Sequence, residues 1–252
     1  AAGLHLDANR LATMVVRVEG VSEDLLDRDV LYPVIGSLLG PLAGKAVPVL
    51  IGLPATVSED RLKALGAAAA ATGSVGMFHV VGSTPEAPTL EAALGSRPAD
   101  TEIRVGPDEI RAARDRLSTT SDVGLRTVSL GTPHYSVAQM GRLVEVLGDR
   151  RVHEQVAVYA STGRDVLHEV ELRGWADRLM AAGVQLVTDT CTYFTSIIED
   201  TSRTTMTDSA KWAYYAPGNL GVEVVFGSLE DCVESAIAGR VVRDEGLWAN
   251  AR

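Results

Sequence analysis

Short apolar runs that end in glycine or a small polar residue alternate along this chain with stretches that open on helix-start signals. That alternation constrains the fold more than any other feature. The runs VPVLIG at 47–52, VGMFHVVG at 75–82, RTVSLG at 126–131, VAVYAS at 156–161, VQLVTD at 184–189 and VEVVFG at 222–227 read as buried strands. Between them, Ser58-Glu59-Asp60 opens a helix over 61–72, and Pro107-Asp108 opens one over 109–117. Ser136 opens a third over 137–147, and Ser228-Leu229-Glu230-Asp231 a fourth over 232–238. Acids in a first turn suit the positive end of the helix dipole. Strand, helix and strand in succession require crossover connections, so the expected class is α/β, with mostly parallel sheets between helices in α/β/α layers. The polar segments 89–102 and 117–124 read as loops.

In open sheets of this class, ligands bind beyond the carboxyl ends of the strands. The residues just past each apolar run are therefore the candidates: Thr84 and Glu86, Thr132 and His134, the stretch from Ser161 to Arg164, and Cys191. His79 lies inside a run, where a satisfied core histidine is the alternative to a functional one. Cys191 and Cys232 are each readable as a small buried hydrophobe or as a ligand, and a helix start such as that near Cys232 lowers a thiol's pKa. Several signatures fail on spacing. GPLAGKA at 40–46 has one residue too few between its glycines for a phosphate loop, and neither a dinucleotide fingerprint, a nucleophile elbow nor a Cys-x-x-Cys pair occurs.

Composition narrows the partners. A formal net charge of −10, from 33 acidic and 23 basic residues, argues against nucleic acid or an anionic membrane surface. The longest apolar stretch, 46–55, holds two prolines and is about half the roughly 20 residues of a membrane span. No secretory pattern opens the sequence, and two cysteines 41 positions apart make no disulfide framework, so a reduced, cytoplasmic setting with both thiols open to a metal is expected. Only Lys45, Lys63 and Lys211 are lysines. One of them falls in TDSAKWAYYAPG at 207–218, where Ser209 and Lys211 precede Trp212, Tyr214 and Tyr215. An ammonium beside hydroxyl donors is suited to gripping a carboxylate or phosphate; a solvated lysine over an aromatic patch is the plainer reading.

Taken in order, GLHLDANR at 3–10, FHVVGSTPEA at 78–87, SLGTPHYS at 129–136, TDTC at 188–191, TDSAKWAYYAPG and FGSLEDCVESAIAG at 226–239 resemble the large subunit, or large portion, of the aconitase X family. The likeness extends over essentially the whole chain. Asp208 and Ala210 depart from the asparagine and glycine common in that pattern, which bears on substrate preference more than on the reaction.

The resemblance implies an aconitase-like α/β fold in two lobes, about 1–120 and 121–252, forming the carboxyl-terminal portion of a longer catalytic region. It implies an iron–sulfur hydro-lyase whose cluster leaves one iron open as a Lewis acid, with Cys191 and Cys232 as metal ligands. A third cysteine is expected from an amino-terminal segment, and the catalytic serine from a small swivelling domain or subunit; neither is in this chain. Lys211 and Ser209 would anchor the substrate carboxylate, and His79, His134, Thr84, Glu86 and Thr132 would line the pocket. The implied substrate is a small hydroxy acid: cis-3-hydroxy-L-proline, going to Δ1-pyrroline-2-carboxylate, or mevalonate 5-phosphate. High arginine content favours the amino acid. Two other classes stay open, a non-catalytic small-acid-binding subunit and a Ser209–Lys211 hydrolase.

Overall fold

The computed structural model describes residues 3–201 and 203–249. The chain divides into two compact units, the first running to Ala113 and resuming at Gly246, the second spanning Arg114–Glu245. Every strand pairing within both sheets is parallel. The α/β class with parallel sheets read from the alternation is what the structure has.

The first unit carries β1 (Met14–Val18), β2 (Pro48–Ile51), β3 (His79–Val80) and β4 (Thr101–Val105) in the order β3-β2-β1-β4. Between β1 and β2 runs a helix, Leu31–Ala43, buried along most of its length. Apolar on nearly every side, it offers no amphipathic period to a sequence reading. It packs against helix Glu59–Gly73 at very short range, because a Cβ on Gly36 would lie 2.2 Å from the Leu65 carbonyl oxygen. Alanine at position 36 would force the two helices apart. The start of Glu59–Gly73 follows the expected signal, with the Ser58 hydroxyl accepting from the Arg61 amide at 3.3 Å.

Two expectations need correction here. The segment 89–102 is not a loop throughout: Thr89 caps a short helix, Leu90–Leu94, and β4 begins at Thr101. β4 is an exposed edge strand held to β1 by its backbone, so it shows no apolar run. The run 75–82 forms ladder only at its two β3 residues, on the opposite edge.

The second unit carries β5 (Leu125–Tyr135), β6 (Ala157–Thr162), β7 (Val184–Thr188), β8 (Thr204–Thr207) and β9 (Val224–Phe226), ordered β7-β6-β5-β8-β9. The chain thus winds outward from β5 in one direction and then, from β8, in the other. Helices Val137–Leu147 and Leu229–Ala238 open on full capping boxes, Ser136 with Gln139 and Ser228 with Asp231. With Trp175–Ala182 they cover a core built from Leu130, Met140, Leu143, Val158, Leu179 and their neighbours. β8 reads TTMT and is buried throughout, its hydroxyls hiding it from a hydrophobicity search. β5 bends near its end, where Gly131 takes a φ of 79° and a Cβ would come within 2.1 Å of the Ser161 carbonyl oxygen. That bend turns Thr132 and His134 out of register with β6.

Candidate active site

The strand order reverses between β5 and β8, and the carboxyl ends of the strands at such a reversal are where a sheet wound both ways is expected to form its ligand crevice. Residues from three elements meet there. The stretch leaving β7 turns at Asp189, which adopts a left-handed φ of 59° and is fixed by the Arg164 amide on Oδ1 at 3.0 Å and the Arg164 Nε on Oδ2 at 2.6 Å. The Arg164 backbone N–H, and then its guanidinium, hold the Asp189 carboxyl below its ordinary pKa.

Two residues on, half-buried Cys191 places its sulfur 4.0 Å from His134 Nε2. The same nitrogen lies 3.1 Å from the Thr190 carbonyl oxygen, which can only accept, so Nε2 carries the proton. The Ser209 hydroxyl donates to the Thr132 carbonyl and accepts from the Trp212 amide at 3.0 Å, so it caps helix Ala210–Leu220 from a buried position. Lys211 therefore stands in the first turn of a helix that has no acid there. The dipole disfavours a cation at that end, so local helix stability does not account for its position. Its ammonium has no ion pair or hydrogen bond among the described residues. Thr132 Oγ1 is buried and likewise without a hydrogen-bond partner among them.

Cys232 is placed differently. It is fully buried in the core cluster of the second unit, and burial, with Asp208 next in importance, pushes its thiol pKa well up. The Tyr135 hydroxyl, which donates to Asp208, is pushed up for the same two reasons. As donor chemistry for a thiolate-held metal centre, Cys191 fits well; Cys232 fits only if a cation offsets its burial. Among the described residues no three His, Cys, Asp or Glu side chains converge to hold a metal ion.

In the first unit, His79 and Glu86 come together around a residue the sequence reading passed over, Arg10. The His79 Nε2 donates to the Arg10 carbonyl at 2.7 Å, its Nδ1 lies 3.8 Å from Glu86 Oε2, and Glu86 is ion-paired with the Arg10 guanidinium. The hydrogen bond from Arg10 holds the Glu86 carboxyl below its usual range. The Thr84 hydroxyl bonds the Val80 amide at 3.0 Å, closing the turn after β3. Thr192, buried beside Cys191, was also missed; its position next to an apolar-run thiol was the only available signal.

The fold and this crevice define a class of parallel α/β domains with a thiol–imidazole pair at the strand ends. The chain belongs to the aconitase X family: residues 12–115 match the aconitase X second domain and residues 125–238 the third. It is 40% identical over 98% of its length to a cis-3-hydroxy-L-proline dehydratase of Pseudomonas aeruginosa, covering 43% of that protein. A cis-3-hydroxy-L-proline dehydratase of Hypocrea jecorina is 39% identical over 94% of the chain, 40% of the relative being covered. A phosphomevalonate dehydratase large subunit of Methanothermobacter thermautotrophicus is 35% identical over 89% of the chain and covered to 53%. The crystal structure of Thermococcus kodakaraensis aconitase X in its holo-form superposes with a TM-score of 0.80 at 26% identity, over 93% of this chain and 57% of that one. The chain thus spans about half the length, or less, of these relatives. Among the described residues no helix is long and apolar enough to cross a membrane.

Proposed function

We propose that this chain is part of the large portion of a hydro-lyase that dehydrates cis-3-hydroxy-L-proline to Δ1-pyrroline-2-carboxylate. The observation that carries the proposal is the thiol of Cys191 set beside the His134 imidazole at the carboxyl end of a parallel sheet, in a chain about 40% identical to two dehydratases of that substrate. The phosphomevalonate relatives, at 35% or below, are more distant, and the basic side chains named at these strand ends are Lys211 and an Arg164 already paired with Asp189, rather than the basic cluster a phosphate ester calls for.

In this reading Cys191 holds an iron–sulfur centre, with Cys232 as its second ligand from this chain once a cation stabilises the thiolate. The remaining donor comes from an amino-terminal segment of the longer protein. When bound, such a centre supplies a Lewis acid that assists departure of the substrate hydroxyl. The chain's own residues orient the acid. Lys211 binds the carboxylate by a charge-assisted hydrogen bond. Ser209 sets the helix start from which Lys211 projects, and the unsatisfied Thr132 hydroxyl offers a further contact to substrate. His134 donates its Nε2 proton beside Cys191, keeping the ligand side of the crevice polar. The His79–Glu86–Arg10 cluster shapes the corresponding end of the first unit. The proton next to the carboxylate is removed by a serine of a small swivelling partner; relatives named as large subunits fit a small partner subunit.

The test is to purify the full-length protein with its partner under anaerobic conditions and supply each substrate in turn. Formation of pyrroline-2-carboxylate from the hydroxyproline is expected. Turnover of mevalonate 5-phosphate alone overturns the choice of substrate, and a colourless, iron-free, folded assembly that converts neither favours a binding subunit.

A further inference from the structure

We infer that Thr192 is a positioning residue whose buried hydroxyl ties the loop carrying Cys191 to the end of β5 and to the helix carrying Lys211. Its side chain is fully buried, as is that of Trp212. The Trp212 indole Nε1, which can only donate, bonds Thr192 Oγ1 at 2.9 Å. The same oxygen lies 2.6 Å from the Ser129 hydroxyl. Ser129 is itself fastened to β8, because the Thr207 hydroxyl donates to its carbonyl at 2.7 Å while accepting from the Ser209 amide at 3.2 Å.

One hydroxyl therefore joins the neighbour of Cys191 to the neighbour of Lys211, and anchors both to the sheet between them. The loop's other ties lie to either side of this hydroxyl: Arg164 holds Asp189, His134 Nε2 meets the Thr190 carbonyl at 3.1 Å, and Tyr193 stacks on Tyr215. Among the described residues the Cys191 carbonyl accepts from its own turn alone, at the Phe194 and Thr195 amides, and Phe194 is largely exposed. Valine would fill the same volume as threonine in this interior, so packing alone does not call for a hydroxyl. What the hydroxyl adds is direction, since a bond from a rigid buried indole fixes where the backbone before it, and hence the Cys191 sulfur, can sit.

The inference rests on the reading of Cys191 and Lys211 as site residues, but its test does not depend on turnover. In the full-length protein stripped of metal, alkylation of Cys191 and of Cys232 by iodoacetamide is followed by peptide mass spectrometry for Thr192→Val, Thr192→Ser and Trp212→Phe. Losing both buried hydrogen bonds of Thr192 Oγ1, to Trp212 and to Ser129, is expected to raise the Thr192→Val rate at Cys191 about fivefold or more, with Cys232 still protected. Thr192→Ser should behave as wild type, and Trp212→Phe should move Cys191 in the same direction by less. An unchanged Cys191 rate in Thr192→Val, or a parallel rise at Cys232, overturns the inference, the latter because it marks a merely structural role. So does Thr192→Ser behaving like the valine variant. Should Thr192→Val not fold, Trp212→Phe decides: an unchanged Cys191 rate there is also fatal. A wild-type assembly that dehydrates neither substrate would defeat the functional reading and leave this thiol comparison standing.

Discussion

Two histidines follow the same chain direction into the ends of two parallel sheets, and their surroundings differ. His79, 2% exposed on edge strand β3, has Nε2 bonded to the Arg10 carbonyl and Nδ1 facing a carboxylate already paired with the Arg10 guanidinium. It pins the amino-terminal segment of the first unit, GLHLDANR, onto the sheet. His134 sits past a bend in the central strand β5, beside a half-buried thiol, at the point where strand order reverses. The difference teaches that topology sorts equivalent side chains. An imidazole at a sheet edge is readily enclosed by the chain, whereas one at the reversal faces a crevice that neighbouring connections cannot fill.

The sharpest test of this contrast is at the thiol. Cys191→Ser in the full-length protein should lower bound iron and dehydration at least about 100-fold, since even residues behind metal ligands are worth 10–100-fold. His134→Ala should lower metal retention within that 10–100-fold range with little change in urea midpoint. A Cys191→Ser protein that keeps its iron would break the comparison outright. Next in size, Lys211→Met should raise KM for the hydroxy acid by about 10–100-fold, the worth of a charge-assisted hydrogen bond, while kcat changes less. A fall in kcat alone would move Lys211 from binding to the chemical step.

Much of the site was legible because it lies directly after apolar runs. His134 and Cys191 come just past the apolar runs at 126–131 and 184–189, whereas Ser209 and Lys211 follow β8, which, written TTMT, escaped notice, and they stood out instead as a hydroxyl–ammonium pair ahead of an aromatic cluster. The helices opened by Ser58, Ser136 and Ser228 were legible for a local reason, a serine hydroxyl three residues ahead of the amide it accepts from. What escaped was set by tertiary partners. Arg10 becomes part of the His79 cluster through contacts 69 and 76 residues away. β4 is a strand because β1 lends it a backbone edge, and Leu31–Ala43 is a helix with no polar face because it is enclosed. The two thiols look alike in sequence, and only packing shows one at a crevice and the other in the core.

A smaller effect checks the other half of the contrast. His79→Leu should destabilise the protein by about 1–3 kcal/mol, because the Arg10 carbonyl and the Glu86 carboxylate lose a partner near a buried position. The loss would appear as a lower urea midpoint, with specific activity of the folded fraction nearly preserved. Full stability with lost activity would instead move His79 into the chemistry and erase the distinction from His134.

The smallest expected effect is a pH dependence, and its sign follows from the pairing. Arg10 holds the Glu86 carboxyl below its ordinary pKa of about 4.3, so between the two values the unfolded chain binds more protons than the folded one. The contribution of this pair is therefore complete at neutral pH and lost as pH falls through the depressed folded value. Glu86→Gln removes that titration, so its urea midpoint should fall less steeply with acid than that of the wild type. Asp189→Asn should flatten the profile in the same sense, since Arg164 depresses Asp189 likewise. The two variants separate in a second measurement. Glu86→Gln should leave Cys191 alkylation unchanged, because its cluster pins another segment. Asp189→Asn should quicken it, because Asp189 fixes the left-handed turn two residues before the thiol. Equal effects of the two substitutions on Cys191 would mean that the turn at Asp189 has no special hold on the site.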